Sequence, residues 1–526
     1  MENKAKQEEL NISSNVYELF SDYQQKIKGI PADAIETTLH SLTAQQNYWM
    51  GFMTHYSEFM SPFWTALNSF INREKSKVKE VSALQTMLDY YELFKFSMQI
   101  AGKAAKPSMS SLHDFHVTQT EKFITAFINS AFAVEGEDIK SFSYKNAQAA
   151  KNLLHIFPQA IKDIKSEFGF HFDDGGYKKA GETDRFILYQ VFSRNKNVKV
   201  NKKLKPIIII PPYVLGANIL GFLPDEKKSY AHAYADQGIP TYIRIMKEVD
   251  ETPAVQIMTG DDDALDTRYF CEIIKKKHGK MVTLNGFCQG GFIGLLNILT
   301  GELDGLVDAF ISCVSPMDGT KSKSLVEYLA HVPERFRDLA YAEKIMPSGH
   351  STVDGRVMSW VYKLKSMERE APVVTFNQSL ASFIDTVENF KVNKTAAALN
   401  HWLIFDRNDL PVAISQMSFD SFTIPVTKDG TFPVKLFGKE LNIKAIKEKK
   451  IKWLLCYAQS DDLVDKDAAL APLEFVDAEV TVFPKGHGAI ATSWSHPDTE
   501  CALHKRFGEN GRYRGPVRFQ LDISKE

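Results

Sequence analysis

The sequence predicts an α/β fold, an open and mostly parallel sheet covered by helices, preceded by a helical N-terminal domain. Three observations lead there. From about residue 185 short β-branched and aromatic runs alternate with helical patterns. A cysteine in a glycine frame, Asn285-Gly286-Phe287-Cys288-Gln289-Gly290-Gly291, closes the apolar run at 281–284. Residues 11–170 contain few glycines and repeat at helical spacing.

In the N-terminal part, Trp49, Phe52, Met53, Tyr56, Phe59, Met60 and Phe63 follow the i, i+3, i+4, i+7 rule, a stripe read as the buried face of a helix bundle. Pro62 is expected to end or kink that helix. Asp173-Asp174-Gly175-Gly176 marks a linker. The expected domains are therefore residues 1–172, helical, and 185–526, catalytic.

The second domain reads as strands at 185–192 and 198–200, then Ile207-Ile208-Ile209-Ile210, a run suited to a strand covered on both faces and cut off by Pro211-Pro212. A helix near 228–237, a strand at 241–246, a helix near 261–278 and the strand before Cys288 continue the βα units. Later strands are expected at 309–314, 452–457 and 479–483, with right-handed crossovers between parallel neighbours.

The glycine frame around Cys288 has the spacing of a nucleophile elbow, a strained strand-to-helix turn that needs minimal side chains where strand and helix backbones meet. Gly286 and Gly290 stand two before and two after the thiol. Such a turn presents the nucleophile at the carboxyl end of the sheet and aims the following N–H groups at a bound carbonyl oxygen. The expected fold is thus an α/β-hydrolase core with cysteine where serine is usual. A buried structural cysteine in a glycine-rich turn is the plainer alternative.

In this fold an acid and then a histidine follow the nucleophile on loops after late strands. The strand at 452–457 runs into Ser460-Asp461-Asp462-Leu463-Val464, and the strand at 479–483 into Gly486-His487-Gly488. His487 is the candidate base; His496 and His504 lie nearby but follow no strand directly. Asp461, three residues before a valine, is preferred over its neighbour Asp462 as the acid that orients the imidazole. About 170 residues separate Cys288 from Asp461, more than two βα units need. An insertion at 321–435, carrying Trp360, Phe376, Phe383, Phe390, Trp402 and Phe405, is expected to cap the nucleophile.

Composition excludes several classes. The 63 Lys+Arg nearly balance 65 Asp+Glu, so no basic footprint suggests nucleic acid. The five cysteines are scattered and form no C-x-x-C pair, which speaks against a disulfide frame or a zinc site and for a reducing cytoplasm. No metal or redox cofactor is expected. No apolar run approaches the ~20 residues that span a bilayer.

From about Lys205 onward the chain resembles the poly(3-hydroxyalkanoate) synthases, cysteine acyltransferases on an α/β-hydrolase core. The resemblance is carried by 206–214 with its Pro-Pro-aromatic-aliphatic end, the Gly-Phe-Cys-Gln-Gly-Gly elbow, Asp-Gly-Arg-Val-Met at 354–358, the Asp461 turn and the Gly486-His487 turn. It implies a triad of Cys288, Asp461 and His487 and an oxyanion hole formed by the N–H groups of Val214 and Gln289. It further implies an acyl-CoA substrate, a polyester product, and an N-terminal half that serves a homodimer or attachment to a polyester granule. The chain departs from the family where a tryptophan, a basic residue and Asn-Pro usually follow the strand at 241–246, since Lys247-Glu248-Val249-Asp250 stands there. Asp462 likewise replaces a usual histidine. A cysteine thioesterase or polyester hydrolase on the same core is the second reading, and a non-enzymatic granule-associated protein the third.

Overall fold

The computed structural model describes residues 32–77, 81–323, 326, 342–355, 357–358, 371–461, 463–484 and 486–488, with isolated positions at 496, 498–499, 508–509 and 512–513. Trp360, Asp462 and His504 lie outside the described residues. Contacts divide the chain into two compact units: Met1–Ser57 with Ser108–Pro158 and Pro372–Lys391, and Glu58–Pro107 with Gln159–Ala371 and Val392–Glu526.

Two long helices lead the chain, α1 (Ala32–Lys77) and α2 (Ala83–Phe132). α1 continues past position 62, so the helix does not end at Pro62; α2 likewise contains Pro107. A proline removes one backbone donor, and the remaining hydrogen bonds of a helix this long carry it across.

In the first unit, Tyr48 and Phe52 of α1 pack with Ala149, Leu153, Phe376, Leu380 and Ile384. Gly51 allows the closest approach, because a Cβ there would come within 2.5 Å of the Phe376 ring. The buried face of α1 here is set by Tyr48, Gly51 and Phe52, of which Phe52 belongs to the stripe read in the sequence; the side chains of Phe59, Met60 and Phe63 lie outside the described residues. Trp49, Met53 and Tyr56 are exposed, at 51%, 61% and 47%. The helix Pro372–Asp385, which falls inside the expected insertion, contributes Phe376, Leu380 and Ile384 at i, i+4, i+8 to this core.

The second unit is built on an eight-stranded sheet of β1 (Tyr177–Glu182), β2 (Phe186–Val191), β3 (Ile207–Ile210), β4 (Thr241–Met246), β5 (Val282–Phe287), β6 (Val307–Cys313), β7 (Lys452–Ala458) and β8 (Glu479–Phe483). The order is β1-β2-β4-β3-β5-β6-β7-β8. β1 and β2 pair antiparallel, β2 and β4 antiparallel, and the other neighbours parallel. All of β3 and β5 is buried, as strands covered on both faces must be.

The leading hairpin differs from expectation. Val198–Val200 forms no strand, because β2 already has β4 on one side and Tyr177–Glu182 on the other. Helix α3 (Gly260–His278) starts with a capping box between Thr259 and Asp262 and ends at Gly279 with φ 66°, which glycine adopts without strain. Helix α4 (Gln289–Leu299) is buried along its whole length behind β5. Helix α5 (Val412–Thr423) lies in the inserted segment. Among the described residues no helix is long and apolar enough to cross a membrane.

Candidate active site

Cys288 joins β5 to α4 at φ 51° and ψ −122°, a backbone state L-residues rarely adopt. Its N–H donates to the Cys313 carbonyl at 2.8 Å, which continues the β5–β6 ladder through the bend. Val314, next after β6, is also left-handed at φ 45°, and its N–H donates to the Cys456 carbonyl at 2.8 Å. A strained residue of this type costs about 1–3 kcal/mol and persists because the ladder around it is complete.

The glycines explain how the bend closes. A Cβ on Gly286 would lie 2.3 Å from Gly291 Cα, one on Gly290 2.3 Å from the Ile210 carbonyl oxygen, and one on Gly291 1.9 Å from Ser315 Oγ. Strand β3, strand β5, helix α4 and the turn after β6 meet here with no space for a methyl group. With the strand order above, this strand–elbow–helix decides the fold class. The fold is that of the α/β-hydrolases.

Asp461 follows β7 and His487 follows β8. His487 Nδ1 donates to Asp461 Oδ2 at 2.8 Å, and Asp461 Oδ1 accepts the N–H groups of Leu463 and Val464, each at 2.9 Å. The Asp461 side chain is fully buried, whereas His487 keeps 12% of its side-chain surface. Burial alone would push the imidazole down, but the Asp461 carboxylate and the Cys288 sulfur act against it and raise its pKa to about 10. Phe287, the residue before the thiol, meets the His487 ring edge-on at 5.8 Å between centroids. His487 Nε2 is buried and has no hydrogen-bond partner among the described residues. His496, the described competitor, instead faces Asp498 at 3.9 Å.

Cys288 opens on a cleft with mostly apolar walls, including Val214, Phe292, Met358, Leu410 and Phe419, and Gln289 lines it too. The first N–H groups of a helix have no intrahelical partner, which leaves that of Gln289 free to donate. The Val214 N–H is engaged by no hydrogen bond among the described residues. The Gln289 side chain ties this region together: Oε1 accepts the Tyr213 N–H at 3.3 Å and Nε2 donates to Ser418 of α5. Gly355 of the Asp-Gly-Arg-Val-Met stretch also has a steric cause, since a Cβ there would lie 2.0 Å from the Asn408 carbonyl oxygen.

Asn408, Ser418 and the hydroxyl of Tyr213 went unmarked in the sequence. They belong to separate segments without a shared spacing, and the local hint was the Pro-Pro-Tyr that follows β3. Cys271, Cys288, Cys313 and Cys456 form no disulfide. Among the described residues no three His, Cys, Asp or Glu side chains converge as a metal site would require.

Neither a known family profile nor a curated protein sequence matches the chain. Solved structures do. A carboxylesterase of the thaumarchaeon Nitrososphaera gargenis shares 14% identity, with a TM-score of 0.36 over 60% of this chain and 92% of that one. An esterase of Rhodococcus sp. ECU1013 and the thioesterase domain of a curacin biosynthetic pathway each share 11%, with TM-scores of 0.32 over 60% of this chain and 94% of theirs.

Proposed function

We propose that the chain is a cysteine acyltransferase of the polyhydroxyalkanoate synthase type, moving 3-hydroxyacyl groups from CoA through Cys288 to a growing polyester. The observation that carries the reading is the pairing of Asp461 with His487 beside a glycine-framed thiol that opens on an apolar cleft.

In this reading His487 takes the proton of Cys288, and the sulfur attacks the thioester carbonyl carbon. The N–H groups of Val214 and Gln289 receive the oxyanion, each donor worth about 3 kcal/mol in such sites. The carbon–sulfur bond to CoA breaks, and the departing thiol takes the proton back from His487. Exchange of one thioester for another is nearly isoenergetic, so the acyl group stays activated. The 3-hydroxyl of a second acyl unit then loses its proton to His487 and attacks the acyl-cysteine carbonyl carbon; the carbon–sulfur bond to Cys288 breaks, the sulfur leaves as a thiolate beside the protonated ring, and the chain is longer by one ester. The raised imidazole pKa favours the protonated ring, the form that hands its proton to the departing CoA sulfur.

The exposed Trp49, Met53, Tyr56, Phe123, Phe127 and Phe132 of the N-terminal helices fit attachment to a polyester surface or a second copy of the chain. The deciding experiment supplies purified protein with 3-hydroxybutyryl-CoA. CoA release with insoluble polyester supports the synthase, release with free hydroxy acid replaces it by a thioesterase, and no release that depends on Cys288 removes the enzymatic reading.

A further inference from the structure

Tyr213, the residue before Val214, is held at each of its polar groups. Its N–H donates to Gln289 Oε1 at 3.3 Å, and its carbonyl accepts Asn408 Nδ2 at 3.0 Å. Its hydroxyl donates to Asp263 Oδ2 and accepts from the Arg244 guanidinium at 2.7 Å. Asn408 also donates its own N–H to the Val214 carbonyl at 3.1 Å, so both peptide units flanking the Val214 N–H are fixed from outside.

The hydroxyl anchor is a buried charge network. Arg244 of β4 and Asp263 of α3 pair at 2.9 Å with side chains 1% and 0% exposed. Arg244 also donates to Thr267 Oγ1 at 2.6 Å, and Asn297 of α4 donates to Asp263 Oδ1 at 2.6 Å. The network therefore ties together the loop bearing Val214 and the helix that begins at Gln289. Burying such a pair gives little net stability over an apolar packing of the same volume. What it supplies is a fixed distance between two backbones.

We infer that Tyr213 is the positioning residue of the oxyanion hole: its anchored ring sets the Val214 N–H against that of Gln289. The inference rests on the acyl-transfer reading above, and its test uses a probe independent of CoA. p-Nitrophenyl acetate acylates a competent thiol through an oxyanion, whereas iodoacetamide alkylates the same thiol without one.

Tyr213→Phe keeps the ring and leaves Asp263 paired with Arg244. It should slow acylation by p-nitrophenyl acetate about tenfold or more, with the iodoacetamide rate on Cys288 within twofold of wild type. Asn408→Ala, outside the buried network, should give the same split should Tyr213→Phe fold poorly. Acylation at the wild-type rate in both variants, or acylation and alkylation falling in parallel, would overturn the inference while leaving the acyltransferase reading intact. A wild-type protein that alkylates but never acylates would remove that reading, and the inference with it.

Discussion

The carboxylate of Asp461 is divided between two duties: one oxygen holds the His487 ring at 2.8 Å, and the other accepts two backbone N–H groups of its own loop. An amide in its place keeps an oxygen for the loop but cannot reproduce the contact to Nδ1 with the correct tautomer. Asp461→Asn should therefore lower kcat for acyl transfer by at least about 10²-fold while the melting temperature stays within a few degrees. Collapse of the fold along with activity would assign Asp461 a structural role instead.

Cys288 is reactive only if the pair beside it works. Cys288→Ala should remove acyl transfer by about 10³-fold or more, and the labelling of wild type by iodoacetamide at neutral pH should map to this thiol. Cys271, Cys313 and Cys456 are buried and should label slowly. Equal labelling of several thiols would leave Cys288 with no special status.

The raised pKa of His487 has a consequence for stability. Its pKa is about 10 in the folded chain against about 6.5 for an unperturbed imidazole, so the folded state holds the proton more tightly. The resulting stabilisation, on the order of a few kcal/mol, is fully present below pH ~6.5 and disappears as pH rises towards 10. Denaturant unfolding at pH 6.5, 8 and 9.5 should show wild type losing stability relative to His487→Gln across that window. Parallel curves would mean that the ring is not charged in the folded state.

Two glycines separate close approach from ordinary helix propensity. Gly290→Ala would push a methyl group to 2.3 Å from the Ile210 carbonyl oxygen and should destabilise the protein by about 3 kcal/mol or more. Gly102, inside α2 with nothing within 4 Å of its Cβ position, should tolerate alanine and gain about 0.5–1 kcal/mol. Thermal unfolding of the two variants checks both signs.

Much of the sheet was readable because its central strands are covered on both faces, which forces continuous apolar runs such as Ile207–Ile210 and makes 241–246 stand out. The edge was not. β1 carries Lys178, Lys179 and Gly181, and its place in the sheet comes from pairing with β2 rather than from its own pattern. The elbow was readable because a backbone contact too close for a methyl group leaves its trace in residue identity. The Asp461–His487 contact followed from chain order alone. The anchoring of Tyr213 by Asp263, Arg244 and Asn408 left no trace, since it joins four distant segments through side chains that are each unremarkable in place. The face of α1 was read only in part because Gly51, one of the residues that set it, has no side chain to count in a hydrophobic stripe.

The nearest atoms a methyl group would meet at positions 286, 290 and 291 belong to Ile210, Pro211, Ser315 and the elbow glycines themselves. The tightness of the bend is thus written in its glycines. Under the acyl-transfer reading, exchange of sulfur for oxygen at 288 would alter how long the captured acyl group stays energised, so storage and discharge of that group lie a single atom apart.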